Sequence, residues 1–399
     1  MEKPNRVLLI GGKLDDRQLL PKIKQLGIEV FAIQKPELFD ETYLTHADGV
    51  LLIDYEDPHI LLPIARTIYD VLPFKAVISL TESGLVPAAL VNDDLGLAGN
   101  SLNTTKLLKN KWEMRQHLNA LGVSSVAARL GKDEKDLLAF VRDYGLPAIV
   151  KPTDESGSYG VMRVNELKDI ASTWDRIGKL GLSCFLMEEY LEGKEISVET
   201  FSFNGKHLVL AVTDKLTLPN FVEQGHSVPA KLADGEYEEV VCCVTQFLET
   251  VGLQNGAAHT EIKLTPKGPR IVESHNRVGG DKINELVKIA CGIDMISLTF
   301  EWALGRCEAL NPPPALQAGA AVRFFVPQPG TVTQIDGLEE VRNGDGVVEL
   351  ELDLKVGSQV RSIAESLDRS GHLLVQGANV DEAVTLCDRL MQNIHIVTC

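Results

Sequence analysis

The sequence predicts a mixed α/β and α+β protein in several parts: a parallel, helix-covered sheet first, a larger antiparallel α+β region next, and a small α+β unit last. Three observations carry this. Short apolar runs alternate with helical patterns over about the first hundred residues, strand-like runs joined by tight turns dominate the middle, and Pro312-Pro313-Pro314 introduces a stretch of short strands and turns. At 399 residues the chain exceeds one ordinary core, so two or three domains are expected.

The first strands are RVLLIGG, IEVFAIQ, ADGVLLID and PFKAVISLTES, with DRQLLPKIKQLG as the first intervening helix. Val, Ile and Leu runs belong to strands buried on both faces, which makes this a Rossmann-like parallel unit. Gly11 and Gly12 are followed by Lys13 and Leu14, giving neither GxGxxG nor a Walker pattern, so a plain strand-to-helix turn is expected.

From Asn103 to Leu121, NTTKLLKNKWEMRQHLNAL reads as one or two helices stopped by Gly122. The helix DEKDLLAFVRDYG follows. In LPAIVKPTDESGSYGV a short strand ends at Lys151 before a Gly- and Ser-rich loop that offers many backbone donors. SCFLMEEYL, KEISVETFSF and KHLVLAVTD read as consecutive antiparallel strands, the last two joined at Asn204-Gly205. A helix is expected around Glu238 to Val251, then the strands AAHTEIKLT and RIVESHN about the turn TPKGP, then helices in DKINELVKIACGIDMISLTFEWALG. Beyond the prolines, AAVRFFV and VVELELDL are strands and VDEAVTLCDRLMQNI is the last helix.

Composition narrows the function. A formal net charge of -17 disfavours nonspecific attraction to nucleic acid or an anionic membrane, so an anionic substrate requires a local basic pocket. No apolar run approaches the roughly 18 residues of a membrane span, and the apolar core of MEKPNRVLLIGG is too short for a signal peptide; a cytoplasmic protein is expected. The 7 cysteines are scattered, without CxxC or zinc-type spacing, and are expected as reduced thiols.

The stretch IVESHNRVGGD, Ile271 to Asp281, concentrates chemistry-bearing side chains at the end of an apolar run. If it pairs with AAHTEIKLT across the five-residue loop Thr265 to Pro269, residues whose numbers sum to 534 face each other. Glu261 then opposes Glu273 and His259 opposes His275, with all four on one face of the sheet. Opposed like charges destabilise a sheet unless something cationic lies between them. Three readings follow: an exposed polar face, a transition-metal site that uses the imidazoles, or a hard-cation site of two carboxylates bridging to a nucleotide phosphate.

Taken in order along nearly the whole chain, these features resemble the ATP-grasp superfamily, in which a Rossmann-like domain precedes two α+β subdomains that grip ATP between them. LKNKWEMRQHL is similar to the family's helix with a phosphate-binding lysine, here Lys111, with Arg115 four residues on. AIVKP supplies the second ATP lysine, Lys151, and TDESGSYGV resembles the glycine-rich lid through Ser156, Gly157, Ser158 and Gly160. MEEYLEGKEISVE resembles the adenine hinge: Glu188, with the backbone of Glu189, Tyr190 and Leu191, at the adenine edge, and Glu195 at the ribose hydroxyls. The resemblance implies Glu261 and Glu273 as Mg2+ ligands, Arg277 at the transferred phosphoryl group, and Lys215 as a further charge near the phosphates. The family often reads Glu-x-Asn-x-Arg, where this chain has Glu273-Ser274-His275-Asn276-Arg277, so His275 stands at the usual asparagine position and contacts metal or substrate. The implied domains are a Rossmann-like one over 1–102, a subdomain with the lid over 103–186, a catalytic subdomain over 187–311 and a C-terminal accessory α+β unit over 312–399.

The resemblance implies an ATP-dependent carboxylate-amine ligase: a carboxylate attacks the γ-phosphate, and an amine displaces phosphate from the acyl-phosphate to form an amide. LPNFVEQGHSVPAKL and RVGGDKINEL look like substrate-facing segments of the branch resembling L-amino-acid ligases, dipeptide-forming enzymes of peptide antibiotic pathways, with Glu223, His226, Gly279, Gly280 and Asp281 touching the amino acid. The implied cofactors are ATP and Mg2+, and the implied partners are small-molecule carboxylates and amino acids. Related ligases are often dimers, so a homodimer is among the assemblies allowed. Loading of a carboxylate onto a carrier-protein thiol, purine-pathway carboxylation and a non-catalytic nucleotide-binding regulator remain as alternatives.

Overall fold

The computed structural model describes residues 5–11 and 19–399. The four apolar runs at the start form a parallel sheet of Arg6–Ile10, Glu29–Gln34, Gly49–Leu52 and Ala76–Ile78. Arg6–Ile10 lies between Glu29–Gln34 and Ala76–Ile78, and Gly49–Leu52 forms the far edge. Val7 and Leu9 pack into one core and Leu8 and Ile10 into another, so both faces are covered and polar alternation is absent. Gly12, Lys13 and Leu14 of the first turn lie outside the described residues. Helix Glu82–Leu95 follows the last strand, and a Cβ on Gly84 would stand 2.4 Å from the Ile10 carbonyl oxygen. Glycine at that position lets the start of the helix press onto the strand end.

Helices Leu102–Lys109 and Lys111–Ala120 are separated at Asn110, whose side chain accepts from the amides of Trp112 and Glu113 at 3.1 Å. The second helix buries Lys111, Met114, Arg115 and Leu118, so helical spacing carries two cations inward on the same face as its apolar anchors.

A second sheet has the order Ala128–Gly131, Phe185–Glu189, Ala148–Lys151, Met162–Val164. Here one expectation is corrected. Phe185–Glu189 does not continue into the antiparallel run that begins at Lys194; it pairs with Ala148–Lys151 and Ala128–Gly131. Phe185 and Met187 share a core with Phe140 and Ile177 of the flanking helices, and that packing holds the strand here. The strand therefore runs through residues 186 and 187, where a domain boundary was expected.

The third sheet has eight strands in the order Gly268–His275, Asn255–Thr265, Lys194–Phe203, Lys206–Thr217, Glu223–Val228, Gly319–Phe324, Gly371–Gly377, Val347–Leu352. Its last three strands come from beyond the prolines, so the expected accessory unit extends the central sheet through pairing of Glu223–Val228 with Gly319–Phe324. Helix Ile283–Cys291 packs with Phe201, Phe203 and Leu210 on one face, while helix Glu236–Thr250 packs with Val198 and Val212 on the other. No helix among the described residues is long and apolar enough to cross a membrane.

The hairpin of Asn255–Thr265 and Gly268–His275 pairs Glu261 with Glu273 and His259 with His275. Its closure differs from the expected five-residue loop: Thr265 pairs with Gly268, leaving only Pro266 and Lys267 as the turn. A bulge at Val272, between the Glu261–Glu273 and Ile262–Ile271 pairs, takes up the difference and restores the carboxylates to register.

Candidate active site

A pocket opens between the second and third sheets. Of the residues expected from sequence, Lys111, Lys151, Ser156, Gly157, Ser158, Glu188, Glu189, Tyr190, Leu191, Glu195, Glu223, Glu261 and Glu273 line it, and Arg115, Tyr159 and Lys263 join them. Gly160, Lys215, His226, His275, Arg277, Gly279, Gly280 and Asp281 lie outside its lining.

At its centre, the opposed carboxylates are each held by a different ammonium group. Lys111 Nζ is 2.8 Å from Glu273 and Lys215 Nζ is 2.6 Å from Glu261. Burial opposes charge on all four groups, yet the pairing wins: both lysines are raised above their ordinary pKa, Glu261 is brought down to about 2, and Glu273 is held well below the carboxylate range. Lys215, 3% exposed along its side chain, lies beneath the pocket and also approaches Glu195 at 2.9 Å and Glu223 at 3.4 Å. His259 lies between Glu199, 2.9 Å from its Nδ1, and Glu261, 3.7 Å from its Nε2. Burial depresses that imidazole, but the Glu199 charge outweighs it and lifts the pKa to about 10. Gly279 packs over this ring, where a Cβ would stand 2.9 Å from Nδ1.

Glu188, expected at the adenine edge, lines the pocket and is bound there by two cations. Lys151 Nζ is 2.6 Å from one of its oxygens and Arg115 Nε donates to the other at 2.7 Å. Burial raises this carboxyl, and the two cations overcome it and bring it to about 2. Glu188 thus fixes Lys151 and Arg115, while the neighbouring segment Glu189 to Leu191 remains at the pocket wall. Glu195 is bridged by Lys215 and Lys263, each at 2.9 Å.

The lid loop is fastened at several points. Lys111 donates its amide to the Thr153 carbonyl at 2.7 Å and its ammonium to the Glu155 carbonyl at 2.5 Å. Ser158, at φ +61°, donates its hydroxyl to the Phe221 carbonyl at 3.1 Å, and the Gly157 carbonyl accepts from the Ser366 amide at 3.3 Å. Gly160 turns the loop at φ +70°, beside Pro152.

Glu223, His226 and Asp281 form a second group with residues from far down the chain. Ser366 donates its hydroxyl to Glu223 at 2.6 Å, and Arg369 grips Asp281 through two bonds of 2.7 and 2.5 Å. His226 Nε2 is 3.1 Å from the same carboxylate, and the Arg369 guanidinium stacks 3.7 Å from the centre of the Phe324 ring. Burial opposes ionisation of Asp281, and Arg369 and His226 keep it below the usual carboxylate range. The Gly280 carbonyl accepts from the Ile283 amide at 2.9 Å and opens the following helix.

Arg277, expected at the transferred phosphoryl group, lies outside the lining of this pocket. It bonds Glu82 through Nε at 2.6 Å and lines a second cavity, between the N-terminal unit and the large sheet. His275 is also committed: its Nδ1 is 2.9 Å from Glu82 and its Nε2 is 3.1 Å from Glu273. Burial pulls this imidazole down, but the Glu82 charge and the Glu273 bond raise its pKa.

Sequence reasoning missed Glu82, Glu199, Lys263, Ser366 and Arg369. Glu199 carried a signal, a carboxylate inside the apolar strand ISVETFSF; the others are polar residues in ordinary helix-start, strand-edge or loop contexts.

Comparison with known proteins accords with this arrangement. A family model described as "ATP-grasp domain" matches residues 144–285, and one described as "L-amino acid ligase C-terminal domain 2" matches residues 323–398. The fold of an L-amino acid ligase from Bacillus licheniformis superimposes over 100% of both chains with a TM-score of 0.87 at 23% identity. Residues 144–285 form an ATP-grasp domain within a chain of ATP-grasp fold. Among relatives of this ATP-grasp chain, an alanine–anticapsin ligase from Bacillus amyloliquefaciens is 26% identical, the alignment covering 66% of this chain and 60% of that protein. An L-arginine-specific L-amino acid ligase from Bacillus subtilis is 25% identical over 89% of this chain and 88% of that one. Against the alanine–anticapsin ligases the chain spans a little over half of their length.

Proposed function

We propose that this ATP-grasp protein is an ATP-dependent carboxylate-amine ligase that joins an amino acid or related acid to a second amino acid through an acyl-phosphate, releasing ADP and phosphate. The observation that carries this reading is the single pocket that gathers Lys111, Lys151, the lid and the Glu261–Glu273 pair between two sheets. Phosphoryl transfer depends on positioning and charge neutralisation rather than on a nucleophilic side chain. Lys111 and Lys151 supply fixed positive charge at the pocket, oriented by Glu273 and Glu188, and the lid's amides close over it. Glu189 to Leu191 form the adenine wall and Glu195 meets the ribose.

The residues fit Mg2+. Glu261 and Glu273 offer an oxygen-only, doubly anionic donor set that already attracts two ammonium groups, and hard cations prefer that set. When bound, the ion neutralises phosphate charge. Lys215, beneath the pair, holds Glu261, and His275 with Lys111 holds Glu273. Arg277, anchored by Glu82, presents its charge from the second cavity, beside Asn276.

Glu223, His226 and Asp281 form the amino-acid side of the site, with Gly279 and Gly280 shaping the turn that carries Asp281. Amino-acid ligation accords with the relatives named alanine–anticapsin ligase and L-arginine-specific L-amino acid ligase; a cytoplasmic setting and a dipeptide product of the peptide-antibiotic type belong to the same proposal. Phosphate release over pairwise amino-acid mixtures with MgATP, coupled to mass spectrometry, tests the reading. A peptide with stoichiometric ADP and phosphate is expected. AMP with pyrophosphate, or acylation of a carrier thiol in place of an amine, would overturn it. Sedimentation of the same preparation distinguishes a monomer from a homodimer.

A further inference from the structure

At the end of the large sheet farthest from the Glu261–Glu273 hairpin, Val347–Leu352 is the edge strand, paired with Gly371–Gly377. Glu349 and Glu351 stand two apart on it, and Glu351 is directly opposite His372, so the three side chains share one face. A carboxylate oxygen from each glutamate and a ring nitrogen of His372 lie within 4.8 Å of one another. His372 is 6% exposed, and its buried Nε2 has no hydrogen-bond partner. The nearest Glu349 oxygen is 3.6 Å away, beyond hydrogen-bonding range. Leaving a buried ring nitrogen unsatisfied is unfavourable, and here the nitrogen is aimed at two carboxylates.

Lys282 partly accounts for the cluster. Its ammonium is 3.0 Å from the other oxygen of Glu349, which neutralises one carboxylate and leaves the His372 nitrogen without a hydrogen bond. We infer that Glu349, Glu351 and His372 form a second metal site, for a divalent ion of the zinc type, distinct from the nucleotide pocket. One imidazole nitrogen with two carboxylate oxygens is a donor set for Zn2+, Co2+ or Mn2+, whereas Mg2+ is held by oxygen. Exposed Glu351 leaves a path for entry and room for water to complete the coordination. The ion would tie the edge strand Val347–Leu352 to Gly371–Gly377, which begins two residues after Arg369, and would displace the Lys282 ammonium from Glu349.

The test is Co2+ titration of the full-length protein, freed of metal with a chelator, followed by visible d–d absorption. Saturable absorption is expected from one equivalent. Glu351→Gln, at an exposed position, and His372→Ala should each weaken Co2+ binding by more than about tenfold, while Glu273→Gln leaves it unchanged. Failure to take up Co2+, unchanged binding in both cluster variants, or loss of the absorption in Glu273→Gln would each overturn the assignment.

Discussion

Glu261 and Glu273 face each other across adjoining strands, yet their charges are balanced from opposite directions: Lys215 holds the first at 2.6 Å and Lys111 the second at 2.8 Å. The pair is therefore a preset anionic cradle with its own internal counterions. Breaking either ion pair has two separable effects, one on folding and one on chemistry.

Glu273→Gln strands the Lys111 ammonium, whose side chain is 8% exposed. Loss of one partner from a buried pair costs about 3–5 kcal/mol, so thermal stability falls together with activity. The double variant Lys111→Met with Glu273→Gln should recover much of the melting temperature without recovering turnover. Recovery of both would assign the glutamate a purely structural role.

Lys151→Ala leaves Glu188 with Arg115, which donates to it at 2.7 Å, so the fold should survive. The apparent KM for ATP should rise more than about tenfold, the loss expected for one charge-assisted contact to phosphate. Steady-state kinetics with the nucleotide varied would show this; an unchanged KM would remove Lys151 from the nucleotide site.

Arg369→Met releases Asp281 from its two bonds and from the stack on Phe324. The predicted result is a raised KM for the amino-acid substrate with little change in the KM for ATP, because Asp281 and Arg369 lie outside the lining of the pocket that holds Lys111 and Lys151. Equal changes in both constants would contradict a separate amino-acid side.

The same carboxylate sets a pH dependence. Asp281 is held below its ordinary 3.8 in the folded protein, so its contribution is complete above that value and is lost as pH falls through the folded-state pKa. Melting temperatures of wild type and Asp281→Asn should therefore converge as the pH drops below about 4. Parallel curves would show that the carboxylate is not ion-paired in solution.

Much of the site was legible because its parts are local. Lys111 and Arg115 occupy one helical face, Lys151 ends an apolar strand, and the two-residue period of the strands placed Glu261 opposite Glu273. The bulge at Val272 was not legible; the right register was reached with the wrong loop because the two errors cancel. Glu82 and Arg369 were hidden for another reason. They reach their partners across 195 and 88 residues of sequence, contacts that no short pattern records. Pro312-Pro313-Pro314 read as a linker, while the strand that follows it pairs directly into the central sheet, which is how Ser366 and Arg369 arrive beside Glu223 and Asp281. Glu188 and Arg277 each have protein partners that residue type did not announce, Lys151 and Arg115 on the first and Glu82 on the second.

The most direct test of the central claim is a crystal structure of the protein with Mg2+ and a non-hydrolysable ATP analogue. The account predicts one ion contacting both Glu261 and Glu273, with the phosphates reaching Lys111 and Lys151 and the adenine against Glu189 to Leu191. Both carboxylates still bound only to protein side chains, with the nucleotide lodged elsewhere, would contradict it.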